Sequence, residues 1–145
     1  MPDDYPQGKL AYYPGHLNTN VYGLDEFWKL FTNRQLTALT TFSALVGEAQ
    51  KKAEADAIAA GLPDDGVGLT DGGTGARAYG EAIGVYLAFI VDKLADYNSS
   101  ICSWISSLSS GAIRNTFARQ AIPMTWDYAE ANPFSGSCGS YDSML

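Results

Sequence analysis

The side chains best suited to chemistry gather late in the chain, in AIRNTFARQAIPMTWDYAEANP (112–133). Arg114 and Arg119 stand beside Asn115 and Gln120, guanidinium and carboxamide groups of the kind that reach phosphate oxygens and base edges. Arg34 and Asn98 are the other polar side chains assigned here as contacts for a substrate or partner. Phe117, Ile122, Met124, Trp126 and Tyr128 show that the same block also packs, so solvated or salt-bridged arginines are the plainer alternative.

A second polar set has the opposite sign. Asp56, Asp64, Asp65 and Asp71 lie in or beside GLPDDGVGLTDGGT (61–74), and as a contiguous acidic face they could imitate phosphates for a basic partner. In the same loop Gly73-Thr74-Gly75-Ala76-Arg77-Ala78 satisfies GxGxxA and opens a helix, a form that can cradle a phosphate on backbone amides. The strand that must precede a dinucleotide fingerprint is missing, which makes this a plain glycine-rich connection.

No catalytic residue and no metal ligand set emerges. His16, the single histidine, sits in the loop YYPGHLN, and an enzyme built on it or on Asp25 or Glu26 has no partner residues at a readable spacing. Cys102 and Cys138 form neither a CxxC pair nor a dense framework, so zinc and structural disulfides are not expected. Cys102 has no cation beside it and reads as an inert thiol.

The bulk numbers frame these candidates. The 145 residues carry 9 Lys and Arg against 16 Asp and Glu, a formal net charge of −7. A free-standing nucleic-acid binder has the reverse balance, so DNA is expected only within a larger assembly. The N-terminus, MPDDYPQGKL, is acidic and lacks an apolar signal core, and no long apolar run is present. A cytoplasmic protein with no membrane segment is the expectation.

The central element is TGARAYGEAIGVYLAFIVDKLADY (74–97). Tyr79, Ile83, Tyr86, Leu87, Ile90, Leu94 and Tyr97 recur in steps of three and four and predict a helix with one buried stripe. Gly80 and Gly84 let a neighbour come close. Before it, Thr32-Asn33-Arg34-Gln35 has the form of a capping box and starts a second helix. The apolar face of that helix is Leu36, Leu39, Phe42, Leu45 or Val46, and Ala49, and Gly61 then Pro63 stop it.

The predicted fold is mainly α, a long antiparallel helical hairpin with additional short helices and an extended N-terminal arm. The arm covers 1–22, with a short strand at Leu10–Tyr13, and is held by Tyr12, Tyr13 and Tyr22. A single helical domain covers 23–131, with helices near 25–31, 33–60, 75–97, 113–121 and 125–131. The serine-rich stretch after Asn98 is too polar for a core, with Trp104 folding back on the hairpin, and 132–145 is a flexible tail.

Three blocks, YGLDEFWKLFTNRQLTALTTFSALVGEA (22–49), YLAFIVDKLADYNSSICSW (86–104) and IRNTFARQAIPMTWDYAEANPFSGSCGS (113–140), together resemble an internal segment of the large adenine-specific DNA methylases that carry a DUF1156 domain and a zinc ribbon. The resemblance implies S-adenosylmethionine for the full-length family. The methyl-donor loop, the Asp-Pro-Pro-Tyr tetrapeptide and the zinc-ribbon cysteines do not occur here, so no cofactor, catalytic or metal residue carries over. Asn132-Pro133-Phe134 has one proline where the catalytic motif has two.

Two functions follow. The first is a non-catalytic helical module derived from a DNA methyltransferase, serving substrate positioning or protein–protein interaction. The second is a small acidic inhibitor from a phage or mobile element, binding a nucleic-acid-processing complex in the anti-CRISPR or anti-restriction manner. Either needs a protein partner, and apolar surface left on the hairpin would favour a homo-oligomer.

Overall fold

A capping box begins the longest element. In the computed structural model, which describes residues 2, 4–16, 18–107, 111–136, 140, 141 and 143, Thr32 N donates to Gln35 Oε1 at 2.8 Å and Gln35 N donates to Thr32 Oγ1 at 3.3 Å. Two amides that the first helical turn cannot satisfy are thereby paired. Helix α1 runs Asn33–Ala59 and helix α2 runs Ala76–Tyr97. One small sheet, β1 (Ser103–Ile105) with β2 (Ala112–Arg114), completes a mainly helical protein. No helix among the described residues is long and apolar enough to cross a membrane.

The chain divides into two compact units, residues 41–91 and residues 1–40 with 92–145. In the first, α1 ends as its sequence predicts. Gly61, at φ +94°, donates to the Ile58 carbonyl and Leu62 donates to the Ala57 carbonyl, a left-handed cap that uses two free helix-end acceptors. The helices approach along two glycines of α2. A Cβ on Gly80 would lie 2.9 Å from the Gln50 carbonyl oxygen, and one on Gly84 would lie 2.9 Å from Gln50 Oε1.

That approach sets which face of α2 is covered. Ala76, Ala78, Gly80, Gly84 and Ile90 are buried, whereas Tyr79 is half exposed and Tyr86 is 71% exposed. The predicted stripe placed both tyrosines inside, but a seam of glycine and alanine brings the helices too near to admit a ring, and the phenols turn outward. On α1 the choice between Leu45 and Val46 falls to Val46, with Leu45 exposed.

The loop 61–75 folds back on its own helix start. Ala76 N donates to the Pro63 carbonyl at 2.9 Å, and a Cβ on Gly75 would meet that oxygen and Asp65 Oδ1, each at 2.6 Å. The glycines of the GxGxxA string therefore admit the chain's own oxygens to the helix N-terminus, where a phosphate would otherwise sit. Arg77 Nη1 donates to the Gly66 carbonyl at 2.9 Å and Arg77 Nε to Glu81 Oε1 at 3.0 Å, while Leu69 N donates to Glu81 Oε2 at 2.6 Å. A 3-10 turn, Leu69–Asp71, lies between these clamps.

The other unit centres on Leu10, Leu30 and Ile101, with Leu24, Phe31 and Ile122 packed around them. Leu10 anchors the N-terminal arm; of the tyrosines expected to hold it, Tyr12 and Tyr13 are exposed, whereas Tyr22, half exposed, meets Trp126 edge-on with ring centroids 5.1 Å apart. In place of a strand at Leu10–Tyr13 there is one bridge, Lys9 with Glu26, supported by Leu10 N to the Asp25 carbonyl and Phe27 N to the Gly8 carbonyl. Thr19–Tyr22 and Phe27–Leu30 are 3-10 turns, so the helix expected over 25–31 is one short turn.

The largest departures follow Tyr97. Residues 113–121 and 125–131, expected as helices, form β2 and a series of turns and extended chain. The first part of the serine-rich stretch is core: Ser99 and Cys102 have no exposure and Ile101 is 4% exposed, whereas Ser106 and Ser107 are exposed and 108–110 lie outside the described residues. The expected flexible tail makes turns as well, Ser135 N to the Asn132 carbonyl and Tyr141 N to the Pro133 carbonyl, with Ser140 buried. Cys138 and the other tail residues 137, 139, 142, 144 and 145 lie outside the described residues.

Candidate functional site

The antiparallel pair β1–β2 aligns Ser103 with Arg114, Trp104 with Ile113 and Ile105 with Ala112. Alternation along a strand puts Ser103 and Arg114 on one face and Trp104 and Ile113 on the other. Trp104 belongs to this small sheet rather than to the helical pair. Its ring lies over Gly111, where a Cβ would be 2.3 Å from Cζ2, and Gly111 at φ +63° suits the left-handed turn there.

Directly after β2 the chain is tied to the end of α2. Asp96 accepts from Asn115 Nδ2 through Oδ2, and from the Phe117 amide through Oδ1 at 2.9 Å. Its carbonyl accepts from the Thr116 amide and hydroxyl, each at 2.8 Å, and from the Cys102 thiol at 3.4 Å. Ser99 Oγ lies 2.7 Å from Thr116 Oγ1 and accepts from the Ile101 amide. With their hydroxyls paired in this way, Ser99 and Thr116 can be buried. Residues 112–114 are already paired with β1, so the helix expected over 113–121 cannot start there.

Beyond that tie the chain returns across the same unit. Thr125 Oγ1 donates to the Ile101 carbonyl at 3.0 Å, Ile122 N to the His16 carbonyl at 2.8 Å, and Ala129 N to the Cys102 carbonyl at 2.9 Å. Between β2 and this return is a cavity of about 120 Å³. Its walls include Ser103, Arg114, Asn115 and Arg119, with Ile101 and Pro123 among the apolar contributors.

Three of the five predicted contact residues, Arg114, Asn115 and Arg119, thus meet at one cavity. The other two are placed elsewhere by partners. Arg34 Nη2 pairs with Glu130 Oε2 at 2.7 Å, and Asn98 Nδ2 donates to the Leu94 carbonyl at 2.9 Å as the C-terminal cap of α2. Asp96, Ser99, Thr116 and Thr125, which position the cavity walls, were not singled out from the sequence. One signal could have found Asp96: an acid in the last turn of a helix opposes the helix dipole, and so calls for donors elsewhere in the fold.

The acidic set is dispersed in role. Asp56, Asp64, Asp65 and Asp71 are all exposed, but Asp56 pairs with Lys52 at 2.9 Å and Asp65 accepts from the Val67 amide. Glu81 is held below the usual carboxylate range by the Leu69 amide and then by Arg77, and Arg77 is raised in turn by Glu81. Asp25 and Glu26 are both lowered, first by hydrogen bonds from Lys29, which reaches them at 2.6 and 3.1 Å. These acids are local clamps. Among the described residues no group of three or more His, Cys, Asp or Glu side chains could hold a metal ion. Comparison with family models, curated proteins and solved structures gives no match to this chain.

Proposed function

We propose that this chain is a non-catalytic helical module of the kind found within DNA adenine methyltransferases, serving to position a substrate or hold a protein partner. The convergence of Arg114, Asn115 and Arg119 on one cavity carries this reading. Within it, residues 41–91 act as an antiparallel helical hairpin. The partner is a cytoplasmic protein that supplies the methyl-donor loop and the catalytic tetrapeptide. DNA enters only within that assembly, and a homo-oligomer is a further form it can take. A cavity of about 120 Å³ is well under the ~300–1,000 Å³ of a typical small-molecule site, so it suits a group on a partner better than a whole S-adenosylmethionine. The acidic-inhibitor reading has less behind it, because Lys52 and the Val67 amide already engage Asp56 and Asp65.

The test is recovery of partners on the tagged chain from its native host, alongside titration with S-adenosylmethionine. A polypeptide carrying the donor loop is expected, its yield falling in R114A and R119A, with no saturable donor binding by the chain itself. Saturable donor binding at about micromolar Kd would overturn the non-catalytic assignment.

A further inference from the structure

We infer that the cavity beside β2 is a phosphate site, taking the terminal phosphate of a monoester whose remaining bulk stays outside. The inference rests on the reading of Arg114 and Arg119 as contact residues and adds the chemistry of what they contact.

The polar groups of the cavity divide into two sets. Thr116, Thr125 and the Asn115 amide are already committed, to Asp96 and to the Ile101 carbonyl, and they fix the walls. Among the described residues the Arg114 and Arg119 guanidinium groups and the Ser103 hydroxyl have no partner, which leaves three donor groups on residues of the cavity wall without an acceptor. Arg114 is half-buried on β2 and Arg119 is exposed at the rim, so the two cations come from different segments.

The local charge favours an anion despite the net −7 of the whole chain. Between Asp96 and Asp127 the sequence has no acidic residue and two arginines. Asp96, the acid bonded to the wall residue Asn115, has its other oxygen on the Phe117 amide. Ile101, Ala118, Ala121 and Pro123 give the cavity apolar walls, where charge attraction is screened less than in water.

Size and valence select the anion. A cavity of about 120 Å³ is small beside the ~300–1,000 Å³ of a typical small-molecule site, suited to a tetrahedral oxyanion with ordered water while the rest of an ester stays outside. A phosphomonoester carries about −1.5 to −2 at neutral pH on three terminal oxygens and can accept from two guanidinium groups and a hydroxyl at once. A carboxylate offers two oxygens and one charge, enough for a single fork.

The test uses the full chain, reading the Arg114 and Arg119 side-chain resonances and calorimetry while inorganic phosphate, a 5′-phosphorylated oligonucleotide and its unphosphorylated twin are added. Phosphate is expected to bind with Kd ~1 mM, with R114Q and R119Q each weakening it about tenfold or more. R34Q, whose arginine is held by Glu130, is expected to leave it unchanged. Tighter binding of the 5′-phosphorylated strand than of free phosphate identifies a nucleic-acid end as the source, and equal binding identifies a small phosphate. Equal binding of the two oligonucleotides, or R119Q binding like the unaltered chain, overturns the proposal; R119Q is the exposed, fold-neutral variant. Should phosphate fail while partner recovery still depends on Arg114 and Arg119, the phosphate assignment falls and the module reading stands.

Discussion

Replacing Asp96 by alanine removes the acceptor that holds the 115–117 segment against the end of α2. Two donors lose their partner, Asn115 Nδ2 and the Phe117 amide, in a place where Asp96 itself is 9% exposed. Stranding a fully buried donor costs about 1–3 kcal/mol, so the pair gives at most about 2–6 kcal/mol, and both bonds here are only partly buried. Removing an acid from the C-terminal turn of a helix returns about 0.3–1 kcal/mol, and the exposed fringe lets water reach part of the gap. We expect a net loss of about 2–4 kcal/mol, a drop in Tm of about 5–15 °C for a chain of this length. Asp96→Asn is the informative companion. Its oxygen can still accept from the Phe117 amide, and its NH₂ is accommodated once the Asn115 amide turns its oxygen inward, so about 1 kcal/mol is expected. Urea melts followed by tryptophan fluorescence and circular dichroism measure both. Asp96→Ala melting with the unaltered chain would refute the accounting, and Asp96→Asn failing as badly as Asp96→Ala would show that charge, not acceptor geometry, holds the tie.

Thr32→Ala removes half of the capping box and is expected to lower stability by about 1 kcal/mol, read from the same melts. Two glycines should respond with opposite signs. Gly47, helical and facing open space, should gain about 0.5–1 kcal/mol as alanine. Gly80→Ala should lose about 1–3 kcal/mol, because its Cβ would meet the Gln50 carbonyl oxygen at 2.9 Å and a helix backbone cannot yield. Acid should release the 61–75 loop. Glu81 is lowered from 4.5 in the folded chain, so its contribution is complete above 4.5 and fades as pH falls through the folded value. Arg77, raised further by Glu81, stays charged throughout. Hydrogen exchange at the Leu69 amide should accelerate over that acidic range, beyond its intrinsic pH dependence, and Glu81→Gln should remove most of the change.

What could be read in the residues beforehand was what is locally encoded. Thr32 and Gln35 sit three apart and bond reciprocally, and Gly61 ends α1 in the left-handed region; each depends on neighbours within a few positions. Arg114, Asn115 and Arg119 came out together because six residues of chain already confine them. Arg34 did not join them, since its fate depends on Glu130, 96 positions away. The stretch after Tyr97 misled for the same reason. Serines and a threonine look like solvent-facing residues until Asp96 and Ser99 meet Thr116 across about twenty positions, and no periodicity signals that meeting. The outward turn of Tyr79 and Tyr86 was missed because apolar spacing does not reveal that a glycine seam will take the covered side.

The burial of Cys102 turns the molecule into its own stopwatch. Its sulfur has no exposure and its hydrogen is engaged by the Asp96 carbonyl, so an alkylating reagent can reach it only while the segment around α2's end is open. With Cys138 changed to serine, the alkylation rate of the remaining thiol, divided by the rate of a free one, gives the fraction of time that segment stands open. That ratio can be followed at equilibrium, without denaturant, and compared between the free chain and the chain with its cavity filled.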